Sequence, residues 1–304
     1  VALNMGETKK LKIAMGPIPY LWSGEKWRDF YYRIAESGHV DAVTLGEVVC
    51  SKRDHFIRPF LPQVVERLEQ SGKSVAIGSL ALVTQEREIA ATRRLAADAA
   101  LVEANDLSAL RLLAGRAHHV GPFVNVYNGA TARLLAKKGA TRICLGPELP
   151  ASSIAQIICG APDVEYEIIA FGRLPLAISA RCAHARAKGR DKDHCQFVCG
   201  DEPDGLDVDT LDGQAFLTIN GVQTMSRHCQ VLLGELDALQ SIGITHLRLS
   251  PQDCDMEQVA AIFAEVRDGI TDTEEGLARL QAVYSAAPYA NGFLHGNAGM
   301  DWVA

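Results

Sequence analysis

Three cysteines, Cys182, Cys195 and Cys199, are spaced C-x12-C-x3-C in a segment that also carries Arg181, His184, Arg186, Lys188, Arg190, Lys192 and His194. Apolar packing gives a polar, basic segment little reason to keep three thiols, although a single free cysteine usually behaves as a small buried hydrophobe. As thiolates they suit a soft metal, either an iron–sulfur cluster or tetrahedral zinc, and spacing alone does not choose between the two. The basic neighbours are expected to lower the thiol pKa values and offset the charge of a thiolate cluster. Either site wants a fourth ligand. Cys50 is the candidate, four residues past Gly46 in Leu45-Gly46-Glu47-Val48-Val49-Cys50-Ser51-Lys52-Arg53.

The other thiols read as packing or surface: Cys144 and Cys159 sit inside apolar runs, and Cys229 and Cys254 have no cysteine near them. His118 and His119 are adjacent at a strand start, where alternation would point them to opposite faces, so a joint metal site is not expected. His184 and His194 are able to replace a thiolate or to support one through hydrogen bonds.

Several familiar signatures fail. Gly72-Lys73-Ser74 resembles the end of a phosphate-binding loop, but Arg67 stands where its first glycine belongs. There is no H-E-x-x-H, no G-x-S-x-G and no G-x-G-x-x-G opening a helix. Peptidase chemistry is left without an activated nucleophile or a water-activating metal.

The elements that must position the thiols follow from the pattern of the chain. Short apolar runs at 11–16, 42–46, 75–78, 101–104, 120–124, 142–145, 164–170 and 246–249 alternate with helical segments such as 25–37, 61–71 and 130–138. Gly38, Gly72 and Gly139 act as helix stops. Eight strands with crossover helices predict a (β/α)8 TIM-barrel-like α/β fold in a single domain over 1–304. The rhythm breaks over 173–245, an insertion between strands seven and eight that carries three of the cysteines, an acidic turn-rich run at 201–213 and an extra strand at 215–220. A last helix is expected over 273–284. In such barrels the site lies at the carboxyl ends of the strands, which is where Cys50 and the insertion both emerge.

Polar residues just beyond those ends, Glu47, Asn125, Tyr127, Asn128, Glu148, Arg173 and Gln252, are candidates to line a substrate pocket, or to serve as caps and loop hydrogen bonds. With 304 residues, 48% hydrophobic and 22% charged, the chain reads as an ordinary globular protein. Its net charge of −7 and its lack of a basic, aromatic stripe disfavour nucleic acid as a partner. The first ten residues lack an apolar leader core, and the expected address is the cytoplasm. No apolar stretch is long enough to span a bilayer.

The sequence resembles the collagenase-like peptidase U32 family. The likeness runs through Leu45-Gly46-Glu47 and Cys50-Ser51-Lys52-Arg53, then 79–83, 103–107 and 125–128. It continues in Leu174-Pro175-Leu176-Ala177 with Ser179-Ala180-Arg181-Cys182, Asn220-Gly221-Val222-Gln223-Thr224-Met225-Ser226, and Arg248-Leu249-Ser250-Pro251-Gln252. Two departures are the ten-residue lead-in and a short segment between Cys182 and Cys195. Among family members that serve quinone biosynthesis, the resemblance implies a [4Fe-4S] cluster on Cys50, Cys182, Cys195 and Cys199. It also implies a heterodimer with a homologous cluster-bearing partner, a lipid-binding accessory protein, and oxygen-independent hydroxylation of a polyprenylated phenol. A cluster held by four cysteines, with no open iron, suits electron transfer. A cluster that only stabilises a subunit interface is the other class that stays open.

Overall fold

The computed structural model describes residues 10–304, so all but Lys10 of the lead-in lies outside the described residues. Among the described residues, twelve strands form. β1 (Lys12–Met15), β2 (Ala42–Leu45), β3 (Ser74–Gly78), β4 (Val102–Ala104), β5 (His118–Val120), β6 (Ala140–Cys144) and the start of β7 (Glu165–Ile178) are parallel neighbours in that order. Next come β8 (Leu206–Asp209), β9 (Ala215–Asn220), β10 (Gln223–Val231), β11 (His246–Leu249) and β12 (Tyr289–Ala290). β11 pairs with both β7 and β1, with His246 opposite Glu167 on one side and Lys12 on the other. This double pairing closes an eight-stranded parallel barrel, the TIM-barrel-like fold expected from the strand rhythm.

Alternation sorts the strand residues into two sets. Ile13, Met15, Val43, Leu45, Ile143, Ile168, Leu247 and Leu249 point outward and join the main core with the apolar faces of the surrounding helices. The inward set is charged. Arg248 donates to Glu103 across the barrel and to Glu167 on the neighbouring strand, and Arg142 pairs with Glu167 at 3.4 Å. Burying these ions is tolerable because each has an opposite charge and hydrogen bonds beside it.

β7 departs most from expectation. It does not end at 170 but continues past Gly172, which takes φ +118°, to Ile178, pairing antiparallel with β10 from Phe171–Val231 to Ile178–Gln223. β10, β9 and β8 continue that antiparallel sheet above the carboxyl rim. β8 lies in the run read as acidic turns. The fifth strand lies two residues earlier than expected, because Pro122, which has no N–H for a ladder, opens a 3-10 turn over Pro122–Val124. The helices Gly24–Glu36, Leu61–Gln70, Gly129–Lys137 and Thr273–Val283 fall where periodicity put them. Lys73 is structural: its ammonium donates to the carbonyls of Ser37 and Val40. Among the described residues, no helix is long and apolar enough to cross a membrane.

Candidate metal centre

The loop after β2 is shaped by a buried carboxylate. Glu47 accepts the backbone N–H groups of Val49 and Cys50 at 2.8 and 2.9 Å, which curls the chain and turns Cys50 towards the antiparallel sheet. Three residues on, Arg53 is 1% exposed and donates to Pro19 O and to Asn220 Oδ1, both at 2.8 Å. The loop is thereby pinned to the β9–β10 turn. Gly221 in that turn has φ +62°, and a Cβ there would lie 2.5 Å from the Arg53 guanidinium, so the contact requires glycine.

Cys182 caps the short helix Ala183–Ala187, its sulfur accepting the Ala185 N–H at 3.3 Å. Cys195 and Cys199 flank a tight reversal in which Gln196 and Phe197 take the left-handed φ values 48° and 57°. Two successive non-glycine residues in that region store strain, and the 3-10 turn Val198–Gly200 follows at once. Lys52 fastens this segment to the β2 loop by donating to the carbonyls of Lys192 and Asp193 at 2.6 and 3.2 Å.

These connections bring all four thiols to one small cavity, lined by Cys50, Cys182, Cys195 and Cys199 with Lys52, Arg53, Lys192, Phe197, Val198 and Gly221. Val48, Val49, Ala185 and Val222 back it with apolar contacts. Cys182 and Cys199 are buried; Cys50 and Cys195 are half-buried. All four thiols line this cavity, yet among the described residues no group of three or more His, Cys, Asp or Glu is arranged to hold a metal ion. In number and softness the donors suit a four-thiolate group, and ligation asks them to turn inward.

The electrostatics differ from expectation. Burial pushes the thiols of Cys50 and Cys199 up, and the Arg53 guanidinium draws both part of the way back. Of the anticipated cations, Lys192 acts on Cys50 and Arg190 donates to the Cys195 carbonyl, whereas Lys188 is engaged with Glu202 and Arg181 and Arg186 are exposed. Arg53, the dominant charge, was legible only as the end of Cys50-Ser51-Lys52-Arg53. His184 is fully buried and bonded to Glu202 at 2.9 Å, His194 is 84% exposed beside Asp191, and neither lines the cavity.

The remaining candidates separate. Glu47 props the cysteine loop. Asn128 caps the helix Gly129–Lys137, and Asn125 supplies the left-handed end of the 3-10 turn. Tyr127 and Glu148 are exposed and bonded to each other. Arg173 ties β7 to Asp204, Asp207 and Thr218, and Gln252 is buried against Tyr20. Cys144 and Cys229 are buried in strands, with their thiols pushed up by burial, and Cys159 is exposed. His118 Nδ1 donates to Arg116 O on the outer face, while His119 points to the barrel charges.

The sequence profile of Peptidase family U32 matches residues 28–304, nearly the whole chain. This chain belongs to peptidase family U32. The U32 chain is 39% identical over 64 residues to "tRNA hydroxylation protein P" of Haemophilus influenzae (strain ATCC 51907 / DSM 11121 / KW20 / Rd), and 38% identical over 64 residues to the protein of the same name from Escherichia coli (strain K12). Each match takes in 21% of this U32 chain and 14% of the relative's length. Among solved structures, an N-acetylneuraminate lyase (sialic acid aldolase) from Aliivibrio salmonicida aligns over 90% of the U32 chain and 79% of its own, at 9% identity and a TM-score of 0.44.

Proposed function

We propose that this U32 member holds a [4Fe-4S] cluster on Cys50, Cys182, Cys195 and Cys199 and passes electrons in an oxygen-independent hydroxylation. The observation that carries the reading is the meeting of four thiols, drawn from two segments far apart in sequence, around one cavity with a buried arginine. Such a cluster supplies reversible one-electron transfer when bound. The chain's own part is to hold the thiolates, with Arg53 and Lys192 offsetting their charge and the valines limiting water.

The finer reading is that the chain is UbiV-like, working in the cytoplasm as a heterodimer with a UbiU-like homologue, and with a UbiT-like lipid-binding accessory protein, on the ring of a polyprenylated ubiquinone precursor. Its support is the residue resemblance across the thiol loops. A second reading, tRNA hydroxylation, has the named relatives in its favour and the −7 charge against it.

The deciding experiment is anoxic purification with iron, acid-labile sulfide and zinc quantitation, and visible spectra before and after dithionite. About four iron and four sulfide per chain, with colour that bleaches on reduction, is expected. Zinc without sulfide would end the redox reading. Restoration of anaerobic quinone synthesis, as opposed to tRNA hydroxylation, in a strain lacking the gene would separate the two substrates.

A further inference from the structure

From Arg181 to Cys195 the chain holds five cations and two carboxylates, although its net charge is −7. Both carboxylates are occupied. Asp191 is folded onto its own loop, accepting the N–H groups of Asp193 and His194 at 2.8 Å, and Asp193 faces Lys52 at 3.6 Å. Among the described residues, Lys188 alone of the five cations has a carboxylate partner, Glu202 at 2.5 Å. Arg181 and Arg186 are exposed, Arg190 donates to the Cys195 carbonyl at 3.4 Å, and Lys192 donates to that of Ala180 at 3.1 Å.

These four unpaired cations stand along one lip of the thiol cavity. Cys50 and Cys195 are its half-buried thiols. Lys192 lines the cavity with Cys50, Arg190 holds the Cys195 backbone, Arg181 adjoins Cys182, and the Arg186 N–H bonds to Cys182 O at 3.2 Å. Phe197 is at the same lip, half-buried, with its ring edge-on to His55 and Phe56 at 5.2 and 5.0 Å. Arginines around a fixed aromatic ring have the composition of a protein-docking surface. Gathering unpaired like charge costs the fold stability, and opposite charge brought from outside relieves it.

We propose that this lip docks a small acidic electron-carrier protein, whose carboxylates meet Arg181, Arg186, Arg190 and Lys192 and whose redox group comes to rest against the edge formed by Cys50 and Cys195. The proposal rests on the redox reading above and names the donor for it. The carrier gives up one electron, the four-thiolate site takes it up, and no bond or proton is exchanged. Such carriers meet their partners through charge-steered interfaces of less than about 1,200 Å², which need no apolar groove. An extended RNA strand fits less well, because the chain leaving the lip exposes Asp201, Asp209 and Asp212, which repel a phosphate backbone.

The test uses the full chain purified without oxygen. The probe is a fluorescently labelled plant-type [2Fe–2S] ferredoxin, a small acidic carrier, with basic cytochrome c as control, both titrated by anisotropy. Ferredoxin should bind at least tenfold more tightly than cytochrome c, and raising ionic strength from about 0.02 M to about 0.5 M should weaken it at least tenfold. Arg181→Glu combined with Arg186→Glu should also weaken it at least tenfold. Arg33→Glu combined with Arg111→Glu, an equal change of charge at exposed helix positions elsewhere, should change it less than twofold. Arg181→Gln with Arg186→Gln, expected to weaken binding about threefold, decides the matter should the reversed pair not fold. Iron-loaded wild type that does not bind ferredoxin at low salt overturns the proposal and leaves the redox reading standing. Equal weakening by the two glutamate pairs overturns it too, since net charge alone would then be acting. So does a short single-stranded RNA that binds more tightly than ferredoxin and is lost in the Arg181 and Arg186 pair. Protein that lacks iron yet binds ferredoxin through this lip supports the docking surface and removes only the redox reading.

Discussion

Arg53 is the side chain on which the two halves of the thiol cavity depend. It holds Pro19 O and Asn220 Oδ1, stands beside Cys199, and occupies the space that Gly221 leaves open. Gly221→Ala should lower stability by about 2 kcal/mol, from the left-handed backbone and the displaced guanidinium together, read as a drop in thermal midpoint. Arg53→Met should cost more, about 2–4 kcal/mol, since Asn220 Oδ1 loses its donor, Pro19 O keeps only Asn220 Nδ2, and the buried Glu47 carboxyl loses its neighbouring positive charge. Substituting alanine for any one of Cys50, Cys182, Cys195 or Cys199 should lose the proposed cluster, while Cys159→Ser, on an exposed helix position, should leave the iron content of the purified chain unchanged. Retention of full iron by Cys50→Ala would remove that cysteine from the set.

At the scale of elements, Arg173 connects the overrun of β7 to the β8–β9 hairpin through Asp204, Asp207 and Thr218. Arg173→Met should release that hairpin, costing about 3–5 kcal/mol and raising amide exchange over Leu206–Asp209 before the barrel strands are affected. The barrel strands were legible because their outward residues form uninterrupted apolar patterns against amphipathic helices. β8 was not, as Leu206 and Val208 alternate with two aspartates in a strand of four residues. The end of β7 was misjudged because Gly172 resembles a stop until an antiparallel partner is known to lie beside it. Thiol spacing identified three ligand candidates, and strand position supplied the fourth. The controlling cation escaped notice, since the burial of Arg53 has no local pattern.

Across the whole molecule, the charges inside the barrel set its response to acid. Burial, reinforced by Arg142, holds His119 down at about 4, well below the ordinary histidine value, and His246 is likewise held at about 4 by burial and Arg142. The unfolded chain therefore takes up protons that the folded one refuses, and stability should fall as pH drops from about 6.5 through 4. Glu167 is buried, but Arg248 and Arg142 overcome that penalty and hold its carboxyl at about 2, which extends the loss between about 4.5 and 2. Thermal midpoints measured across this range should decline in both windows. His119→Asn should flatten the upper one.

The cavity has a further consequence for how the protein is made. Cys50 precedes Cys199 by 149 residues, and at about 5–20 residues per second a ribosome needs roughly 7–30 s to travel between them. The Arg53 anchor at Asn220 comes later still. For that interval Cys50 emerges without its companions, and the last three arrive only when most of the barrel has been synthesised. If the proposed cluster is assembled on these thiols, delivery of iron and sulfide is a late event, acting on a nearly completed barrel, and the thiols are most vulnerable to oxidation during their own translation.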